Sequence, residues 1–244
     1  MIPKVIHYCW FGGTPLPRLA IKCIKSWKKY FPDYEIKEWN ESNFDVNIIP
    51  YTRDAYLVKK YAFVSDYARF WILYHYGGVY FDTDVEVIRP MDDIIVKGGF
   101  MGCEVDQGDN YSVNPGLGMA VEAHHPIYKQ LLEQYVCRSF YLENGNMDLT
   151  TVVRITTDVL LRNGLFPCSD IQFIQGIIIY PVDYFNPWND ALGKLEKTQN
   201  TRSIHWYAKT WMDKENFMWK WVKRLFHRVV GIERSLLIRK YFNK

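Results

Sequence analysis

No stretch of the 244-residue sequence approaches the roughly 18 consecutive apolar residues that a membrane-spanning helix needs. Internal repeats and low-complexity linkers are also missing, so one main domain is the simplest organisation. Cysteine is sparse: Cys9, Cys23, Cys103, Cys137 and Cys168 are odd in number and include no CxxC pair. That pattern argues against a disulfide framework and a zinc site, and for a reducing compartment. The opening Met1-Ile2-Pro3-Lys4 has neither a long cationic segment nor a long apolar one, so no secretory signal is expected. The body also lacks excess positive charge. Residues 214–244 hold nine Lys/Arg and two acidic residues, so in a chain of net charge +3 a tail of +7 leaves a body of −4. A slightly acidic body is unlike a nucleic-acid binder, which carries its positive charge on the body.

Apolar residues are plentiful at 48%, enough for a packed globule without disulfides. Lys4–Trp10 reads as a buried strand, Pro17–Phe31 as a helix stopped by Pro32, and Tyr34–Trp39 as a strand. Helices are expected over Arg53–Tyr61 and Phe63–Tyr76, the second ended by Gly77-Gly78. Val79–Phe81 and Val85–Ile88 are short strands, with Phe100–Val105 and Gly118–Glu122 after them. Helices over Pro126–Phe140 and Thr151–Asn163 precede late strands at Ile177–Tyr180 and Ser203–Tyr207. Strand–helix alternation followed by mixed elements implies an α/β fold with a mixed, mostly parallel central sheet flanked by helices.

Asp82-Thr83-Asp84 follows one of these short strands. A period of two puts both carboxylates on one face, where they repel unless a cation or proton lies between them. A hard divalent ion such as Mg²⁺ or Mn²⁺ takes oxygen ligands of this kind and keeps room for phosphates. An isolated Asp-x-Asp is also common in solvated turns. Upstream, Asp66 and Arg69 share a helical face in Ser65-Asp66-Tyr67-Ala68-Arg69. Their neighbours Phe63, Phe70, Trp71 and Leu73 make that helix largely buried, and charge there wants a partner or a ligand.

Ser65-Asp66-Tyr67-Ala68-Arg69 followed by Tyr76-Gly77-Gly78-Val79-Tyr80-Phe81-Asp82-Thr83-Asp84 resembles glycosyltransferase family 32, the DXD-containing sugar transferases of capsular polysaccharide synthesis and of clostridial glucosylating toxins. Ile2–Gly12 is similar to that family's opening strand, and Ile204-His205-Trp206-Tyr207-Ala208-Lys209-Thr210-Trp211 to its closing segment. The resemblance implies a GT-A fold, a nucleotide-sugar donor, Mn²⁺ or Mg²⁺, and retained anomeric configuration. It implies that Trp10 stacks on the nucleobase and that Ser65, Asp66, Arg69, Tyr80 and Asp82 line the donor, with Asp66, Arg69 and Asp82 at the reacting sugar. Asp82, Asp84 and His205 would hold the metal, while Lys209 and Trp211 meet the diphosphate side. The toxin branch has other ligands in place of His205. The donor base stays open between uridine and guanosine, with a UDP-sugar favoured, and the acceptor is a glycan or a lipid-linked oligosaccharide.

Several features invite two readings. Asn114-Pro115-Gly116-Leu117-Gly118 is a close approach to a sugar or simply a turn. Glu104, Asp106 and Asp109 read as a solvated acidic edge, and Thr156, Thr157 and Asp158 as possible acceptor contacts. In the tail, Met218, Trp219, Trp221, Val222, Leu225, Phe226, Val229 and Val230 share one helical face opposite Lys220, Lys223, Arg224, His227 and Arg228. Such a helix suits an anionic membrane surface or packing on the core. The organisation expected is a catalytic domain over 1–213 and a basic helical tail over 214–244, in a cytoplasmic protein peripheral on the inner face of the membrane. Two other readings remain. One is a haloacid-dehalogenase-like phosphatase with Asp82 as nucleophile, though Val85-Glu86 stands where that family has Gly-Thr. The other is a non-catalytic glycan-binding protein.

Overall fold

The computed structural model describes residues 1–208, without the side chain of Asp109. Lys209, Trp211 and the 214–244 tail, each given a role by the sequence, lie outside the described residues. In chain order the elements are β1 (Val5–Cys9), α1 (Arg18–Tyr30), β2 (Glu35–Trp39), α2 (Pro50–Leu57), α3 (Tyr61–Tyr76), β3 (Gly78–Tyr80), β4 (Val85–Val87), α4 (Asp92–Ile95), β5 (Gly99–Val105), β6 (Ser112–Val113) and β7 (Met119–Val121). There follow α5 (Pro126–Val136), α6 (Val152–Arg162), β8 (Gln172–Ile174), β9 (Ile177–Tyr180), α7 (Val182–Phe185), β10 (Trp188–Asn189), β11 (Lys194–Leu195) and β12 (Ser203–His205). The main sheet runs β2-β1-β3-β7-β5-β9-β8, with β6 on β5. The pairings set β2, β1, β3, β5 and β9 in one direction and β7 and β8 in the other. The expected mixed and mostly parallel α/β sheet is therefore present.

Both faces of the sheet are covered, which is why β1 and β9 are continuous apolar runs and not alternating ones. One face packs Tyr51, Phe63, Tyr67, Phe70, Tyr128, Leu131, Ile155 and Leu160 from α2, α3, α5 and α6. The other packs Cys23, Trp27, Ile94 and Phe185 from α1, α4 and α7. Trp27 is fully buried, and its indole N–H donates to the Val85 carbonyl at 2.8 Å, tying α1 to β4. The five cysteines are all free, as their spacing implies. No helix among the described residues is long and apolar enough to cross a membrane.

The boundary between α2 and α3 differs from the sequence expectation. α2 begins at Pro50, whose fixed φ suits a first helical position. It ends before Lys59, whose φ of +59° is left-handed, so Tyr61 opens α3 instead of closing α2. α5 stops at Val136, short of the expected Phe140. The elements that sequence periodicity missed are α4, α7, β6, β8, β10 and β11, each of two to four residues and too short to show a period.

The turn from α3 into β3 aims the following residues. Gly78 has φ +103°, and a Cβ there would lie 2.7 Å from the Val5 carbonyl and 3.0 Å from His7 Nε2. Only glycine lets β3 lie this close to β1. His7 is 2% exposed, its Nε2 lies 3.0 Å from the Gly77 carbonyl, and its Nδ1 accepts the Trp39 indole N–H at 3.0 Å. Only a neutral ring protonated on Nε2 satisfies both partners. Burial lowers its pKa to about 4, against the pull of the Gly77 carbonyl. The unfolded chain binds a proton below about pH 6.5 that the folded chain refuses, so this contribution is present above 6.5 and lost on falling to 4. Urea unfolding between pH 7 and pH 4 is expected to show a loss of about 3 kcal/mol from this group. His7→Gln, which keeps a donor and an acceptor, should flatten the decline; an unchanged slope contradicts the assignment.

Candidate metal and donor site

β1 and β3 run parallel, so their C-terminal ends share one edge of the sheet, the usual place for a ligand in α/β folds. Asp82 and Asp84 project there from the connection between β3 and β4. The period of two along a strand is not what brings them together. They lie in a turn in which Val85 N–H donates to the Asp82 carbonyl at 3.0 Å. β4 pairs antiparallel with β12, setting His205 opposite Val85. One ligand atom each from Asp82, Asp84 and His205 then falls within 4.8 Å of the others.

Arg69 anchors one side. It is 4% exposed and donates from Nη2 to Asp66 Oδ1 at 2.9 Å. It meets both oxygens of Asp82 at 3.3 Å, and its Nε donates to the Ser65 carbonyl at 3.1 Å. The helical Asp66–Arg69 pair expected from sequence is present, and Asp82 completes it. Burial pushes the Asp66 carboxyl up, against the attraction of Arg69. Tyr80 is 1% exposed, with its hydroxyl donating to Asp82 Oδ1 at 3.2 Å and its ring 5.1 Å from the guanidinium. Tyr80 and Arg69 therefore orient Asp82. Ser65 contributes its carbonyl, since its hydroxyl donates to the Tyr61 carbonyl at 3.1 Å. Trp10 stands half-buried at the end of β1 on the same edge, with its indole N–H on the Thr14 carbonyl at 2.6 Å.

Asp84 anchors the other side. Oδ1 lies 3.0 Å from His205 Nε2, and Oδ2 accepts the Ala208 N–H at 2.7 Å. Burial opposes ionisation of Asp84, but the His205 ring and these hydrogen bonds hold its carboxyl below the ordinary value. Burial likewise opposes charge on His205, yet Asp84 raises it. The pair therefore shares a proton that a bound cation would displace. The donor set of two carboxylates and one imidazole is one that a divalent ion can take. His205 Nδ1 is buried without a hydrogen-bond partner among the described residues.

Three expectations near the site change. Asn114–Gly118 forms a turn that is also a wall of the site, because a Cβ on Gly116 would overlap Asp82 Oδ2. Thr156 is fully buried, and Thr157 accepts the Val113 N–H at 3.0 Å while donating to the Val153 carbonyl at 2.7 Å. Thr157 thus ties α6 to β6, the Thr156 hydroxyl is buried without a partner among the described residues, and Asp158 is exposed beside Arg154. Glu104 is not a solvated edge, as its contacts below show. The signal that could have found it was the Asn-Pro-Gly turn, whose Asn114 side chain holds it.

Residues 17–100 match the family described as a glycosyltransferase sugar-binding region containing a DXD motif. The chain is 26% identical over 206 residues to an uncharacterised glycosyltransferase of Acanthamoeba polyphaga mimivirus, covering 78% of this chain and 77% of that one. It is 30% identical over 111 residues to inositol phosphoceramide mannosyltransferase 1 of Schizosaccharomyces pombe, covering 41% of this chain and 33% of the relative. Among solved structures it resembles the PaToxG glycosyltransferase, with a TM-score of 0.53 at 19% identity over 66% of this chain and 69% of that one. A glycosyltransferase involved in glycosylating the major capsid of PBCV-1 superposes with a TM-score of 0.50 at 14% identity, over 85% and 95% of the two chains. At those identities the two structures speak to the fold alone.

Proposed function

We propose, from the premise that this chain belongs to the DXD-containing glycosyltransferases, that it is a retaining, divalent-metal-dependent hexosyltransferase. It takes the sugar from a nucleotide-sugar, read here as a UDP-sugar, and passes it to a glycan or lipid-linked acceptor in surface-glycan assembly. The observation that carries this is the convergence of Asp82, Asp84 and His205 at the sheet edge beside a buried Asp66–Arg69 pair. Breaking a sugar–phosphate bond leaves a nucleoside diphosphate of growing negative charge, and Mn²⁺ or Mg²⁺ held by these three groups supplies Lewis-acid stabilisation there. The chain's own residues do the rest. Arg69 and Tyr80 fix the direction of Asp82, Trp10 offers an aromatic face at the same edge, and Asp66 and Arg69 are assigned to the transferring sugar. Lys209 is proposed for the diphosphate and Trp211 for the donor.

A mannosyltransferase acting on inositol phosphoceramide among the relatives supports a hexose and a lipid-borne acceptor. The phosphatase reading gains no such support, because residues 17–100 match a glycosyltransferase sugar-binding region and Val85-Glu86 stands where the phosphatases have Gly-Thr. The test is a panel of nucleotide-sugars incubated with and without Mn²⁺. Metal-dependent release of the nucleoside diphosphate from one of them is the expected result, and no release from any sinks the reading. A cytoplasmic, membrane-peripheral location through residues 214–244 belongs to the same proposal. It requires the full chain, but not one lacking that segment, to sediment with anionic vesicles.

A further inference from the structure

Glu104 sits where β5 breaks register. Cys103 pairs with Val113 and Val105 with Ser112, so three residues of β5 face two of β6 and Glu104 is the extra one. A bulge of this kind re-aims a side chain and is common beside active sites. Here the side chain is only partly exposed and is held from several directions. Its Oε2 accepts Asn114 Nδ2 at 3.0 Å, its backbone carbonyl accepts Asn186 Nδ2 at 3.1 Å, and the Tyr207 hydroxyl lies beside its carboxylate. Neighbouring Asp106, by contrast, accepts the Val182 N–H and serves the start of α7.

Two paths of contact leave the Glu104 carboxylate and end on different members of the metal group. Along the first, Asn114 Oδ1 accepts the Gly116 N–H at 2.7 Å, and Gly116 lies against Asp82. Along the second, the Tyr207 ring stands edge-on to the His205 imidazole at 4.2 Å between centroids, and His205 meets Asp84 at 3.0 Å. Tyr207 has φ +48°, a left-handed conformation that a tyrosine keeps only when its surroundings impose it. The loop at 114–118 and the strand end at 205–207 are distant in sequence but meet at the site, and Glu104 touches both.

We propose that Glu104 is a positioning residue that fixes the spacing between the two walls of the metal group. It holds Asp82 through Asn114 and Gly116, and His205 through Tyr207. The inference rests on the reading that Asp82, Asp84 and His205 hold a divalent ion.

Free Mn²⁺ followed by its paramagnetic resonance signal gives a dissociation constant without any turnover. Glu104→Ala is expected to weaken binding by about 10- to 100-fold, the range for a lost partner behind a metal ligand. Glu104→Gln, which keeps an acceptor for Asn114 and a donor for Tyr207, should restore most of it. Tyr207→Phe leaves the ring on His205 and removes the hydroxyl that meets Glu104 and Asn186, so about a tenfold loss is expected. The double variant Glu104→Ala/Tyr207→Phe should be non-additive. If Glu104→Ala fails to fold, the Gln and Phe variants still decide the matter. Parent-like Mn²⁺ affinity in Glu104→Ala or in Tyr207→Phe, or strict additivity, overturns the proposal alone. A parent protein that binds no Mn²⁺ overturns it together with the ion reading.

Discussion

Asp84→Asn is expected to lower metal-dependent donor cleavage about a thousandfold, equivalent to about 4 kcal/mol of lost transition-state stabilisation. The exchange is nearly isosteric. Asparagine keeps an acceptor for the Ala208 N–H but removes the charge that balances a cation. It also removes the ion that raises the pKa of His205, so the buried ring returns toward its neutral form. The apo protein should also lose some stability, because His205 and the Ala208 N–H hold the Asp84 carboxyl below its ordinary value, so its charge favours the fold. The diagnostic is therefore the shift that ligand produces. Each protein is compared with its own melting temperature without metal, and the increase produced by Mn²⁺ with a nucleoside diphosphate disappears in the variant. Donor cleavage above a tenth of the parent rate would remove Asp84 from the metal site.

Arg69→Met should act in the opposite sense, on the fold first. Arg69 is the cation between Asp66 and Asp82, both partly or fully buried. Breaking a buried pair by deleting one partner costs about 3 to 5 kcal/mol, a large share of the roughly 5 to 15 kcal/mol that holds a domain together. Here a single deletion strands two carboxylates. Burial already raises the Asp66 carboxyl, and without Arg69 nothing opposes that rise. A folded-state pKa raised above the unfolded value means protonation favours the fold. The destabilisation should therefore be larger at pH 7.5 than at pH 5.5, which urea midpoints at the two values will show. Arg69→Lys should recover only part, because one ammonium cannot reproduce the contacts to both carboxylates and the Ser65 carbonyl. Equal deficits at the two pH values would mean that Asp66 is not the stranded group.

Residues that declare their chemistry locally were legible in the sequence. Asp66 and Arg69 at i,i+3 inside an apolar helix form the pair their spacing implies, and Asp82 and Asp84 converge, although through a turn. His205 was legible only through its likeness to a family's closing segment, because no local pattern links it to Asp84. That link is made by the pairing of β12 with β4. Glu104 was misread for a related reason. Its acidic neighbours suggested a solvated edge, and a single-residue bulge leaves no trace in periodicity. The long helices α1 and α6 were found because burial on one side imposes a repeat, whereas α4 and α7 span a single turn and impose none.

The pairing of β12 with β4 has a consequence for how the protein is made. The central sheet draws its last strand from Ile177–Tyr180, whereas the third member of the metal group arrives only with Ser203–His205. Every strand of the central sheet therefore precedes, in order of synthesis, the imidazole that completes the group of Asp82, Asp84 and His205. On the reading that these three hold an ion, a chain ending before Ser203 would present two acidic groups without the third ligand.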